Sequence, residues 1–123
     1  MGKFVVNMVK SGSYRFCLKA GNGEIIAVSE NYTSLDACKN GMESVRKNCG
    51  AHIEDQTVAG FEELKHPKYE IYKDKKGEFR FRLKASNGEI ILASEGYTAK
   101  ASCKNGIESV AENAPKAEYI QNS

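Results

Sequence analysis

Five cations stand at alternate positions on two short stretches. Arg15 and Lys19 lie in Tyr14-Arg15-Phe16-Cys17-Leu18-Lys19, and Arg80, Arg82 and Lys84 lie in Phe79-Arg80-Phe81-Arg82-Leu83-Lys84. Read as strands, both stretches put the cations on one side of a pleated ribbon and large apolar residues on the other. A row of strand-borne cations, with Tyr72 nearby, can lie along phosphates or meet another anionic ligand. The competing reading is a solvated sheet face on which Glu70 and other acids offset the charge. A net charge of only +2 favours that second reading over nucleic-acid binding.

Other reactive side chains offer less. Cys17, Cys38, Cys49 and Cys103 form no Cys-x-x-Cys, and His52 and His66 fall in no ligand-spaced pattern, so no metal site and no cofactor is expected. Cys38 and Cys103 occupy equivalent places and could act as a redox pair only if two helices touch. Buried, inert thiols are the expectation. On one straight helix Cys38 and Cys49 would stand about 16 Å apart, beyond disulfide reach. Glu30, Glu95, Glu43 and Glu108 can be drawn as paired carboxylates, but a duplicated sequence creates such symmetry by itself. No His, Ser or Cys stands at nucleophile–base spacing in both halves, so no catalytic residue is assigned. Tyr32 and Tyr97 read as loop anchors on the core.

The elements that must position these groups are written twice. Arg15-Phe16-Cys17-Leu18-Lys19-Ala20-Gly21-Asn22-Gly23-Glu24-Ile25-Ile26 recurs as Arg80-Phe81-Arg82-Leu83-Lys84-Ala85-Ser86-Asn87-Gly88-Glu89-Ile90-Ile91, at the constant offset that separates Gly23 from Gly88. Asn-Gly between alternating apolar runs predicts a β-hairpin in each copy. Lys3 to Lys10 alternates as a preceding strand, with Phe4, Val6 and Met8 on one side. Glu24 to Ser29 and Glu89 to Ser94 are apolar on both faces, which predicts central strands. Cys38, Gly41, Met42, Val45 and Cys49 then follow helical spacing, as do Cys103, Gly106, Ile107 and Val110. Thr33-Ser34-Leu35-Asp36 fits a capping box, and its counterpart, with Ala101 in place of the acid, is incomplete. A glycine inside each helix costs about 1 kcal/mol against Ala, and an unbroken helix with a close neighbour at that glycine is favoured over a break. His52-Ile53-Glu54 and Glu118-Tyr119-Ile120 end the copies as short strands. Thr57 to Pro67 belongs to neither copy and reads as an ordered crossover.

The 123 residues suit one domain with one core, and the composition, 41% hydrophobic and 28% charged, is globular. No apolar run approaches a membrane span, and Met1 to Val6 has no signal-peptide core. The expected address is therefore the cytoplasm, with reduced thiols and no membrane partner.

The paired blocks, from Phe79 to Ala85, Asn87 to Ile91, Ser94 to Tyr97 and Cys103 to Val110, resemble the YegP-like family of small bacterial proteins of unknown function. The resemblance runs over nearly the whole chain in both copies. The first copy departs at Cys17 for Arg82 and at Asn31 for Gly96. The resemblance implies an α+β fold of two tandem β3-α-β repeats. These form one continuous, antiparallel-rich sheet with both helices on one face and the C-terminal strands exchanged between repeats. It supplies no catalytic residues. The expected organisation is a single domain over 1–123, with repeat one at about 3–56, a crossover at 57–67 and repeat two at about 68–121. The expected function is a non-catalytic binding or accessory module, a monomer in this tandem form, with partner unknown. Its candidate ligand or nucleic-acid face comprises Arg15, Lys19, Tyr72, Arg80, Arg82 and Lys84. A weak nucleic-acid binder is the alternative, and a thiol-redox or hydrolytic enzyme is the least favoured.

Overall fold

Alternation and helical spacing emerge as eight strands and two helices in a computed structural model that describes residues 2–121. In chain order these are β1 (Lys3–Met8), β2 (Tyr14–Lys19), β3 (Ile25–Val28), α1 (Leu35–Asn48), β4 (Ile53–Asp55), β5 (Lys68–Lys73), β6 (Phe79–Lys84), β7 (Ile90–Ala93), α2 (Lys100–Asn113) and β8 (Glu118–Gln121). A short 3₁₀ turn, Ala114–Lys116, leads into β8, with the proline where a helix start tolerates it.

All eight strands form one sheet in the order β4-β5-β6-β7-β3-β2-β1-β8. The two hairpin-linked triplets are antiparallel, and they meet at a single bridged pair, Val28 opposite Ala93. The edge strands pair in parallel, β4 with β5, the next strand of the chain across the crossover, and β8 with β1, the first strand. The strands expected to be central, β3 and β7, stand at the middle of the sheet.

One face of the sheet is covered. Phe4, Val6, Phe16 and Leu18 from the first triplet and Tyr69, Ile71, Phe81 and Leu83 from the second share one core with the inner stripes of both helices. Each of these large side chains, almost wholly removed from water, contributes about 1.5–3 kcal/mol. Met8, placed by alternation on the same side, lies at the strand end and is half exposed.

Both helices run unbroken through their glycines, and the reason is spatial. A Cβ at Gly41 would overlap the Tyr32 hydroxyl, and one at Gly106 would lie 2.6 Å from the Tyr97 hydroxyl. Those tyrosines are anchored by isolated bridges to Tyr14 and Phe79, and Tyr32 stacks on Phe16 at 6.2 Å. The cap of α1 differs from expectation. Ser34, one residue later than the predicted Thr33, is the N-cap, and its hydroxyl accepts from the Ala37 amide at 3.1 Å. Asp36 then falls in the first turn, where it favours the helix dipole without closing a box. Ala99 holds the equivalent place in α2 and offers no side-chain cap.

The Asn-Gly hairpins close as three-residue loops. The Ala20 amide donates to the Glu24 carbonyl, and Gly23 takes φ +88°, a conformation that a Cβ disfavours; Ala85, Glu89 and Gly88 repeat the arrangement. The crossover has no regular secondary structure, and its Phe61 is exposed. Asp55 holds its start by accepting from the Thr57 amide at 3.0 Å, and Glu54 holds its far end through the Leu64 amide at 2.6 Å.

Candidate functional site

The face opposite the helices carries the alternate residues of every strand, and the register joins them into one row across the whole sheet. From β8 inward the row is Ile120, Val5, Cys17, Val28 and Ala93, all apolar or weakly polar. It continues as Arg82, Glu70 and Glu54 to the opposite edge. Flanking positions hold Lys3 opposite Lys19 and Asn7 opposite Arg15 in one half, and Lys68 opposite Lys84 and Tyr72 opposite Arg80 in the other.

The second half is neutralised from within. Arg82 Nε donates to Glu70 Oε1 at 2.6 Å, and Lys84 Nζ reaches the same oxygen at 3.2 Å. Arg80 Nε pairs with Asp74 Oδ2 at 2.7 Å. Lys68, almost fully buried, bridges Glu54 at 2.7 Å and Glu70 at 3.1 Å. The Arg82 guanidinium also stacks 4.4 Å above the Tyr72 ring. Burial opposes charge on Glu54, but hydrogen bonds from Gln56, Lys68 and the Leu64 amide prevail and hold its carboxyl down at about 2. Glu70 is likewise lowered, against burial, by Arg82, Lys68 and Lys84. Burial also opposes the Lys68 ammonium, and its two carboxylate partners still raise it above the ordinary lysine value. Four of the six candidate face residues, Tyr72, Arg80, Arg82 and Lys84, are thus gathered into this half, with the three cations already paired.

Arg15 and Lys19 stand apart on β2, in the first half. Among the described residues neither they nor Lys3 makes an ion pair. Both cations reach the thiol of Cys17 electrostatically, yet burial dominates there and raises it. Val5 and Cys17 are 7% exposed, whereas Val28 is 37% and Ile25, opposite Lys19, is 50% exposed. Long lysine and arginine stems can cover apolar neighbours while their heads stay in water. A hollow of about 280 Å³ lies between Lys3, Val5, Lys19 and Ile120.

All four cysteines are free and buried, and burial raises each thiol above its ordinary value, Cys103 to about 11. A thiol so placed is a poor nucleophile. Among the described residues no group of three or more His, Cys, Asp or Glu could hold a metal ion. Glu30 and Glu89 line a shallow depression of about 560 Å³, together with Tyr32, Lys84 and Ile90.

Sequence reasoning names Glu70 as an offset to the cations but misses Glu54 and Lys68 as its buried partners. The signal is present at the fixed offset. Lys68, Arg80 and Lys84 align with Lys3, Arg15 and Lys19, while Glu70 and Asp74 align with Val5 and Val9. The place of Glu54 beside β5 is filled beside β1 by Ile120.

No helix of the described residues is long and apolar enough to cross a membrane. The family model for a domain of unknown function, DUF1508, matches this chain twice, at residues 10–55 and 74–121. A UPF0339 protein encoded in the 5′ region of the ptx operon of Stutzerimonas stutzeri is 36% identical over 98% of this chain and 96% of its own. A shorter UPF0339 protein of Agrobacterium fabrum is 62% identical over 53 residues, which are 43% of this chain but 86% of that protein. Among solved structures, the solution structure of yegP from E. coli, a protein of unknown function, superposes with a TM-score of 0.81. It is 36% identical, and the match covers 98% of this chain and 92% of that one. With matched models over most of its length and relatives of this similarity along all of it, the chain belongs to the DUF1508 family, the UPF0339 proteins that include YegP.

Proposed function

We propose that this chain is a non-catalytic binding module of the cytoplasm, a monomer that engages its partner through the first half of the open sheet face. The reading takes residues 1–123 as one domain of two repeats, about 3–56 and 68–121, joined by 57–67, which lend each other their last strands. One observation carries it. Lys3, Arg15 and Lys19 surround an apolar row and, among the described residues, form no ion pair, while the matching cations of the second half are fully engaged. Unanswered cations next to half-exposed apolar side chains form a surface suited to recognition rather than to a packed interior. The raised, buried thiols argue against redox or hydrolytic catalysis.

Nucleic-acid binding is the weaker reading, because Arg80, Arg82 and Lys84 are bound to Asp74 and Glu70 and leave few cations for phosphates. The test is site-specific photo-crosslinking in cells. A photoreactive residue at Val28 is expected to trap a discrete partner, and one at the exposed Lys47 of α1 is not. Equal, diffuse labelling from both positions would remove the open face from consideration.

A further inference from the structure

We propose that the patch around Val5, Cys17 and Val28 receives an acidic amphipathic helix of a partner protein. The inference rests on the binding reading above and names the chemistry of the partner. It follows from a one-sided replacement between the halves. The first half keeps the cations Lys3, Arg15 and Lys19 but has Val5 and Val9 where the second has Glu70 and Asp74. At the position beside the edge pair it has Ile120 where the second half has Glu54. Valine or isoleucine stands in place of Glu70, Asp74 and Glu54, and Cys17 in place of Arg82, while Lys3, Arg15 and Lys19 match Lys68, Arg80 and Lys84.

A surface that merely needed solubility would keep the acids, and a surface that only bound phosphates would not gain valine and isoleucine in their place. The complement of this patch brings both its own carboxylates and its own apolar side chains. The apolar row from Ile120 to Ala93 crosses five strands, about 19 Å at the usual strand spacing, which is the length of a helix of about 13 residues. Lys3 and Lys19 lie on one side of that row and Arg15 on the other, placed to meet carboxylates bordering an apolar helical stripe. Among the described residues, Glu118 opposite Lys3 is the one acid in register with this border. A second copy of this chain is the wrong occupant, because two such faces related by a two-fold axis would set the same cations against each other.

The test uses the full ¹⁵N-labelled chain. The probe is a synthetic peptide of about 14 residues with leucines at helical i, i+3, i+4 and i+7 spacing and glutamates on both borders. A twin with lysines for the glutamates and a short DNA duplex serve as comparisons. The acidic peptide is expected to shift the amides of Val5, Cys17 and Val28, and Lys19→Glu or Arg15→Glu is expected to weaken it about tenfold. Lys47→Glu on α1 should leave it unchanged. Equal binding of the lysine twin, shifts confined to the helices, or binding of the duplex alone would each overturn the proposal. If Val28 crosslinks a partner in cells while the acidic peptide fails to bind, the inference falls and the binding reading stands. If Val28 crosslinks nothing, both fall.

Discussion

Glu54 has lost almost all contact with water, yet its carboxyl stays ionised far below the ordinary range because three donors converge on it. Its ordinary value is 4.5. The folded value is the lower one, so ionised Glu54 stabilises the fold above that pH, and the contribution drains away as pH falls toward about 2. Glu54→Gln is therefore expected to flatten the loss of stability in this acid window, read by urea denaturation at a series of pH values. An unchanged slope would place the acid sensitivity elsewhere. Lys68→Met should act more harshly at neutral pH, since it leaves two buried carboxylates short of their shared ammonium. Breaking a buried pair from one side costs about 3–5 kcal/mol. Glu70 was within reach of sequence reasoning as an acid in strand register with cations. The buried Glu54 was not, because its carboxylate is held in part by the Leu64 amide of an irregular crossover, whose path no periodicity records.

At the scale of single elements, the helices are where spacing speaks most clearly, and their glycines show why. The apolar stripe of α1 runs straight through Gly41, so a continuous helix with a close neighbour could be read directly. The neighbour is the ring of Tyr32. Gly41→Ala would gain about 1 kcal/mol of intrinsic helix preference but forces overlap with that ring, at a cost of about 1–3 kcal/mol. The net expectation is a lower thermal midpoint, partly restored when Tyr32→Phe removes the hydroxyl. A midpoint that rises with Gly41→Ala alone would show that the tyrosine moves freely aside. Caps are less legible than stripes. Thr33 and Ser34 are both competent, and only the backbone decides which of them turns first. In α2 the deficit is unambiguous, so Ala99→Ser should stabilise the protein by about 1 kcal/mol, measured in the same denaturation experiment.

Sheet pairing between the two triplets is sparse at the centre and fuller at the edges. β3 and β7 share one bridged pair, Val28 and Ala93, so the seam between the two triplets contributes little sheet pairing of its own. The ties that cross the molecule lie elsewhere. β4 pairs with β5 over three positions, and β8 pairs with β1 over four. Lys100 of α2 reaches Asp55 of β4 at 2.9 Å, and Arg46 of α1 donates to the Ala117 carbonyl at 2.6 Å just before β8. The buried Tyr69 hydroxyl of β5 donates to the Cys49 carbonyl at the end of α1. β4 and β8 thus cover the edges of β5 and β1, and open edges of this length invite association. If lending those strands is what closes the core, residues 1–59 and 60–123 expressed separately should not melt cooperatively as monomers. Each should sediment as a dimer or remain unfolded. Mixing the two should restore one sharp transition, because the missing strand of each is then supplied. A monomeric fragment that melts sharply by itself would mean that its last strand docks at home, and the proposed exchange would then be an accident of linkage rather than the basis of stability.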